Sequence, residues 1–480
     1  MPFLIVFLLL SFSCSNTTAK KEIDKPNILF ILVDDLGKEW VSCYGADNIN
    51  TPEIDKLAAS GMLFENFYSM PQCTPTRVTF LTGQYPFRHG WINHWDVPRW
   101  GGGAHFDEQL NPCLPLEMRK AGYKTCIAGK WQIDDFRVEP DALEKCGFDD
   151  YCMWTGYETG IPASAERYHN PYIFTKNGSE TKNGKFGPDV FRDFIASFIR
   201  KNKEHPMFIY FPMVLTHTPF VNTPDDSASD KLGKHIAMVK YTDKITGQLI
   251  QVLEEENIRK NTVIVWTTDN GTTGRISGKL NGHLVKGGKG TTKESGICAP
   301  FIVSWPEKIE PNQHTEALVD ITDFFPTFLD LAGVECNQTW DSGGNSFKID
   351  GKSFKDVLIG KSKDSQRNWI LGMGGGNNAR LTDDGVENQY VFRDRVVRNK
   401  QYKLYISSQR KPVKFYNLRS DPFEQNNIIG ELSTYQKKNF DELAALIERF
   451  PKRDNDPIYR ENPKQEWDVD VTAKSEVWKK

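Results

Sequence analysis

Residues 27–35 read NILFILVDD, an uncharged and mostly apolar run that ends in two adjacent carboxylates. Apolar sequence without polar alternation predicts a strand covered on both faces, the pattern of a buried parallel sheet. Three further stretches repeat the arrangement. Tyr123–Ala128 (YKTCIA) leads to Gly129-Lys130, Met207–Leu215 (MFIYFPMVL) precedes His217, and Thr262–Thr268 (TVIVWTT) precedes Asp269-Asn270. Amphipathic segments lie between the runs. One begins at Thr51-Pro52 by N-cap and N1 chemistry, lines one face with Ile54, Leu57 and Ala58, and ends at Gly61. This alternation predicts an α/β fold with a large, mostly parallel sheet between helices. Ligands of such sheets bind beyond the carboxyl ends of the strands. The runs bring Asp-Asp, Lys, His and Asp-Asn to that edge, and acids mixed with bases there predict an active site.

The chain has 480 residues, with 60 Lys+Arg against 63 Asp+Glu for a formal charge of −3. At about 150 residues per domain this length accommodates about three units, or one large α/β domain with an appendage. Near-neutral charge argues against a nucleic-acid partner, which needs a concentrated basic face. A hydrophobic fraction of 39% with negative mean hydropathy excludes a polytopic membrane protein. The nine cysteines are dispersed, with neither a C-x-x-C pair nor zinc-finger spacing. Cys146 and Cys152 are near enough in sequence to form a disulfide after export or to remain thiols.

Phe3–Leu10 (FLIVFLLL) is too short to span a bilayer but suits the apolar core of a signal peptide. Ser13-Cys14 resembles a loose bacterial lipobox, although no Lys or Arg precedes the run and Ser11 stands where an aliphatic residue is usual. The expectation is an exported bacterial protein, periplasmic or lipid-anchored through Cys14, with residues 1–25 as signal and tether. Beyond about residue 385 the texture changes. Short alternating strands (FRDRVVRNKQYKLYISSQ), a turn-rich loop (KFYNLRSDPFEQNN) and an amphipathic helix over Tyr435–Phe450 predict a small subdomain with an antiparallel sheet. The tail after Phe450 is expected to run extended over the surface.

Residues 73–90 read CTPTRVTFLTGQYPFRHG. Pro75 marks a helix start with Cys73 at its N-terminus, and Arg77, four residues on, shares its face. A helix N-terminus favours anions, and a guanidinium beside it adds bidentate oxyanion recognition. This stretch resembles the C-x-P-x-R signature of type I, formylglycine-dependent sulfatases, an arylsulfatase-like branch of the alkaline phosphatase superfamily. PNILFILVDDLG, AGYKTCIAGKW, TTDNG, KGTTKESG and YKLY…FYNLRSDPFEQNN resemble further family segments in the expected order, from Pro26 to Asn427.

The resemblance implies an alkaline-phosphatase-like sandwich, with a catalytic domain over 26–384 and a C-terminal subdomain over 385–480. It implies that a maturation enzyme converts Cys73 to Cα-formylglycine. It also implies one Ca²⁺, with Mg²⁺ as the alternative, on Asp34, Asp35, Asp269 and Asn270, a hard-oxygen donor set. Such a ligand role for Asn270 rules out use of the sequon Asn270-Gly271-Thr272. In the implied mechanism one hydroxyl of the hydrated aldehyde attacks sulfur in line and the alcohol leaves. The second hydroxyl then loses its proton and expels sulfate. Arg77 would hold the diol, Lys130 and Lys289 would bind sulfate, and His217 would be the general acid. His89, which also sits in a family motif, is expected to be structural or to support the site residues from behind.

This chain departs from the family pattern at Gly129-Lys130-Trp131-Gln132, where a histidine is usual at position 132. Gln132 can hydrogen-bond but cannot exchange a proton at neutral pH, and His283 is a candidate replacement. Ile297-Cys298-Ala299-Pro300 lacks a usual Arg. The segment WINHWDVPRWGGGAHF, from Trp91 to Phe106, reads either as an aromatic rim for a sugar or as a packed loop. The substrate-binding candidates are Gln132, His94, Trp95, Arg99 and His105. The expected activity is hydrolysis of sulfate esters on a polysaccharide-derived carbohydrate. The alternatives are a phosphonate monoester or phosphodiester hydrolase and a non-catalytic sulfoglycan-binding protein.

Overall fold

The computed structural model describes residues 25–92, 105–136, 138–154, 167–342, 344–374, 379–388 and 390–460, with Pro463, Thr472 and Lys474. The apolar runs form the centre of an 11-stranded sheet. Strands β1 (Asn27–Val33), β2 (Met62–Tyr68), β3 (Lys124–Lys130), β4 (Asp150–Trp154), β5 (Tyr172–Thr175), β6 (Gly178–Thr181), β7 (Met207–Pro212) and β8 (Thr262–Thr268) belong to it. The hairpin β9 (Ser277–Leu280) and β10 (His283–Lys286) stands apart from it. Strands β11 (Cys298–Ser304) and β12 (Gln313–Thr315) complete the order β12-β2-β11-β8-β1-β7-β3-β4-β5-β6, with Val319–Asp320 also pairing β2. The block β8-β1-β7-β3-β4 is parallel throughout, so its carboxyl ends share one edge. Antiparallel strands appear only outside that block.

Strand β1 shows why these runs carry no polar alternation. Ile28, Phe30 and Leu32 face one core with Val78, Phe80, Phe324 and Phe328. Leu29, Ile31 and Val33 face a second core with Ile54, Leu57, Ile245 and Leu249. Helices cover both faces, so both sets of side chains leave water, at about 25 cal/mol per Å² of apolar area buried. The helix over 52–59 (α1, Pro52–Ala59) forms as expected, but its cap differs. Thr51 Oγ1 accepts from Ser42 N at 3.0 Å instead, while Asp243 Oδ1 receives the free N–H groups of Glu53 (3.0 Å) and Ile54 (2.8 Å).

The small antiparallel sheet is present, ordered Ile370–Met373, Arg395–Arg398, Tyr402–Ile406 and Pro412–Asn417. Its first strand lies ahead of residue 385. The expected C-terminal helix divides into an α-helix over Thr434–Ala444 and a 3-10 turn over Ala445–Arg449. The chain beyond Phe450 is more than a surface wrap. Buried Asp454 accepts from Arg393 N and from the Arg395 guanidinium, each at 2.8 Å, and ties the tail into the sheet. Among the described residues no helix is long and apolar enough to cross a membrane, and eight cysteines, Cys146 and Cys152 included, are free thiols.

Candidate active site

The helix expected at Cys73 forms over Cys73–Thr82 (α2), with all ten residues buried. It is a core helix, seated between the sheet and Phe324–Leu331. Thr76 Oγ1 donates to the carbonyl of Asp269 at 2.6 Å and fixes the helix to the end of β8. Arg77 crosses beneath the strand ends. Its Nη1 donates to the Lys130 carbonyl at 2.8 Å and its Nη2 to Asp269 Oδ2 at 2.8 Å, with Asp34 Oδ2 at 4.0 Å.

Four neighbouring strands supply the rest. Asp34 and Asp35 follow β1, Lys130 closes β3, His217 follows β7, and Asp269 and Asn270 follow β8. Lys130 Nζ lies 2.7 Å from Asp34 Oδ2, and Lys289 Nζ lies 2.6 Å from Asp35 Oδ1 and 3.5 Å from Cys73 Sγ. The thiol stands 3.6 Å from Asp34 Oδ1. Carboxylate oxygens of Asp34 and Asp35, Cys73 Sγ and a His217 ring nitrogen all fall within 4.8 Å of one another. Two backbone features allow this crowding. Gly129 takes φ +120°, and a Cβ there would meet the Pro212 carbonyl at 2.0 Å. Gly271 faces the Ser295 carbonyl, which a Cβ would meet at 1.8 Å, so the lysine-bearing loop can close onto β8. Asp35 and Gln132 adopt the left-handed backbone without being glycine (φ 61° and 63°), a local cost of about 1 kcal/mol each.

Burial alone would raise the Asp34 carboxyl, but Lys130 and the other cations hold it well below the usual carboxylate range. Burial, reinforced by Asp34, pushes Asp269 up to about 7 against the opposing pull of Arg77. Burial pushes the Cys73 thiol up to about 11 despite Lys130 and Lys289. Burial and then Lys289 hold His217 well below its ordinary value, so its imidazole is neutral at pH 7. Arg77, Lys130 and Lys289 are paired with the carboxyl groups of Asp269, Asp34 and Asp35, one cationic side chain to each acid. Buried ions are tolerated only when matched in this way.

The acidic donors suit a hard divalent cation. Asn270 is fully buried, leaving no room for a glycan. Its amide Nδ2 donates to Asp35 Oδ1 at 2.8 Å and to the Gly271 carbonyl at 2.9 Å, which fixes the amide orientation. Its Oδ1 has no hydrogen-bond partner among the described residues. An orphaned amide oxygen beside two carboxylates is the donor set that Ca²⁺ or Mg²⁺ takes. Asp269 is held differently, accepting from Arg77 and, at 3.2 Å, from the Asp35 N–H.

The other expectations divide. Gln132 is half-buried beside Lys130, and its Oε1 has no partner among the described residues. His89 is structural: its Nδ1 accepts from the Trp91 N–H at 3.1 Å and its Nε2 meets Thr79 Oγ1 at 3.0 Å. His283 is exposed on β10 against Phe423, away from the buried groups around Cys73. His94, Trp95 and Arg99 lie outside the described residues. The ends of their segment are packed core, with the Trp91 and Phe106 rings 6.0 Å apart, and His105 is half-buried near Tyr459.

Two elements escaped the sequence reading. Arg167, buried against Trp154, reaches His217. Glu294, five residues after Lys289, accepts from Tyr68 Oη (2.5 Å) and from Lys403 (2.8 Å), and its N–H donates to Glu424 at 2.7 Å. The small sheet thereby clamps the loop that carries Lys289. The only signal for Glu294 was its place within KGTTKESG.

The sulfatase family model matches residues 26–334, and the model of the C-terminal part of N-sulphoglucosamine sulphohydrolase matches residues 289–449. The chain belongs to the sulfatase family, a class of sulfuric ester hydrolases with the alkaline-phosphatase-like fold. Human N-acetylgalactosamine-6-sulfatase is 31% identical over 334 residues, 64% of this chain, which spans 62% of that protein's length. N-acetylgalactosamine-6-O-sulfatase of Bacteroides thetaiotaomicron is 27% identical, with 89% of this chain and 94% of that protein covered. The ulvan-active sulfatase of Formosa agariphila is 26% identical, covering 92% and 76%. Among solved structures, Ps i-CgsB in complex with k-i-k-neocarrahexaose superposes with a TM-score of 0.72 at 23% identity, covering 91% and 95%. BT4656 in complex with D-glucosamine-2-N,6-O-disulfate gives 0.69 at 22% identity, covering 90% and 99%. These likenesses establish the fold.

Lys403 is fully buried between Glu294 (2.8 Å) and Glu424 (2.9 Å). Lys403→Met should leave two buried carboxylates facing each other and cost about 3–5 kcal/mol, measured as a fall in the urea midpoint. Lys403→Arg should recover part of that loss.

Proposed function

We propose that the protein hydrolyses sulfate esters of a sulfated carbohydrate in the pocket around residue 73. The observation that carries this reading is the setting of Cys73, buried at the N-terminus of α2 with Lys289 Nζ 3.5 Å and Asp34 Oδ1 3.6 Å from its Sγ. Burial pushes the Cys73 thiol up to about 11, which favours the protonated thiol over the nucleophilic thiolate. Its surroundings are nonetheless those of a reacting anion: the N-terminus of α2, with Lys289 at 3.5 Å. Conversion to formylglycine resolves the conflict, since the aldehyde hydrate offers one hydroxyl to attack sulfur and a second whose deprotonation releases sulfate.

Asp34, Asp35 and Asn270, with Asp269 behind them, would hold the divalent cation. Bound there, the cation would supply positive charge to a sulfuryl oxygen and acidify a neighbouring hydroxyl. The site would then carry a surplus of about two positive charges, which a sulfate ester and a deprotonating hydroxyl offset. Lys130 and Lys289, released from the aspartates by the cation, would turn to the sulfuryl oxygens. Arg77, committed to Asp269 and the Lys130 carbonyl, would keep the helix bearing residue 73 in register. His217 would donate a hydrogen bond from its neutral ring to the leaving oxygen and pass it that proton as the alcohol departs, the ring then regaining a proton from water.

The carbohydrate assignment draws on the relatives, named for N-acetylgalactosamine-6-sulfate and ulvan, and on a solved neighbour holding a carrageenan oligosaccharide. Export with a lipid at Cys14 fits this role. It predicts incorporation of a palmitate analogue that Cys14→Ala abolishes; labelling that survives the substitution refutes it.

Co-expressed with a formylglycine-generating enzyme, the Cys73 peptide should lose about 18 Da by mass spectrometry, the thiol-to-aldehyde difference. Cys73→Ala should then abolish turnover of sulfated oligosaccharides. Faster cleavage of an aryl phosphodiester than of the matching aryl sulfate would instead select the phosphodiesterase reading, and a persistent thiol without turnover the binding one. For the cation, adding millimolar Ca²⁺ to chelated protein should raise Tm by a few degrees, about 2–3 kcal/mol at a hundredfold excess over Kd. Asn270→Leu should remove that rise.

A further inference from the structure

His217 is held by two consecutive residues of a distant segment. Tyr168 Oη lies 2.7 Å from the Val214 carbonyl and 2.5 Å from the His217 carbonyl, so its one hydrogen is shared between them and fixes the backbone of the turn. Arg167 addresses the ring. Its Nη2 lies 2.6 Å from His217 Nδ1 and also donates to the Thr218 carbonyl. The guanidinium is 1% exposed and is stacked over Trp154, 4.8 Å from the ring centroid, so its direction is set by packing. On the opposite side of the imidazole, Nε2 faces the catalytic cluster, 3.8 Å from Asp35 Oδ2.

A guanidinium has donors and no acceptor. At 2.6 Å an N–H on Nδ1 would point into an N–H of Arg167, so Nδ1 must accept and the proton must reside on Nε2. The competing tautomer has a partner waiting, because the Thr218 carbonyl lies 2.7 Å from Nδ1 and would accept an Nδ1–H. Arg167 opposes that route by donating to the nitrogen itself, which an Nδ1–H would turn into a donor facing a donor. Each of its two Nη2 hydrogens has a defined acceptor, which accounts for the pair of contacts.

We infer that Arg167 is a positioning residue that locks His217 in the tautomer with Nε2–H directed at the scissile ester oxygen. The inference rests on the reading of His217 as donor to the leaving group. Without Arg167 the imidazole would turn its proton to Thr218 and offer a lone pair to an oxygen that needs a hydrogen. The loss should depend on the leaving group. A sugar alkoxide is a strong base that requires the proton, whereas a nitrophenolate departs without one.

The test compares mature wild type, Arg167→Met, Arg167→Lys, His217→Ala and the Arg167→Met/His217→Ala double variant. Substrates are 4-nitrophenyl sulfate, phenyl sulfate and a 6-O-sulfated amino sugar. Arg167→Met should lower kcat/KM about 100-fold on the sugar sulfate and less than 10-fold on 4-nitrophenyl sulfate, chiefly through kcat. Arg167→Lys should recover part of the sugar activity, and the double variant should be no worse than His217→Ala. In parallel, ¹⁵N spectra of histidine-labelled protein should show His217 with Nε2–H in wild type and Nδ1–H in Arg167→Met. An equal loss on every substrate, or an unchanged tautomer, overturns the inference. If His217→Ala itself lacks leaving-group bias while the tautomer still switches, the donor reading of His217 has failed, and the catalytic part of the inference fails with it. Should Arg167→Met not fold, Arg167→Gln serves in its place under the same criteria.

Discussion

Three carboxylates and three cations share one nearly dry pocket at the carboxyl edge of the sheet, and the molecule is built so that none is left unmatched. Removing an ion from water costs several kcal/mol, and only close opposite charge returns it. Asp34, Asp35 and Asp269 come from two adjacent strands, so their proximity is a direct consequence of β1 and β8 being parallel and in register. Such a concentration of negative charge requires cations from elsewhere. Lys130 arrives from β3, Arg77 from below on α2, and Lys289 from the loop before β11. The parallel sheet thus fixes where the acids stand, and their charge dictates which other segments must reach them.

The same constraint explains the role of the smaller sheet. The loop bearing Lys289 has little apolar content to anchor it, and a lysine placed by a mobile loop would be a poor partner for a buried aspartate. Glu294, Glu424, Lys403 and Tyr405 form a buried polar junction behind that loop, joined to Tyr68 at the end of β2. A network of this kind is stable when all its members are satisfied, and it transmits position because none can move alone. On the far side of the pocket, Arg167 and Tyr168 perform the corresponding task for the turn after β7.

The conflict at residue 73 has the same origin. Packing α2 wholly inside the protein brings its N-terminus to the charged cluster, but it also removes the water that would stabilise a thiolate. A neutral nucleophile that draws its reactivity from neighbouring charge suits such a place better than an ionised sulfur. The orphaned oxygen of Asn270 and the left-handed backbone at Asp35 lie in this pocket too, joined by the Asn270 Nδ2 to Asp35 Oδ1 hydrogen bond at 2.8 Å.

Taken alone, the amino-acid sequence determined the parallel core, the edge on which the acids and bases gather, and the helix carrying Cys73 and Arg77. Those features are written in near neighbours: unbroken apolar runs, a proline at a helix start, charged residues directly after strands. The tertiary structure decided what depends on partners far apart in the chain. Asp243, not Thr51, caps α1 across 190 positions; Asp454 buries its charge against Arg395; Lys403 serves a loop more than 100 residues earlier. Trp91 and Phe106 proved to be core because their surroundings, which composition does not encode, are apolar. Arg167 had no local signal at all, being one arginine beside a tyrosine. Its effect on His217 exists only because the fold sets a donor with no lone pair 2.6 Å from one ring nitrogen and leaves the other facing the catalytic cluster.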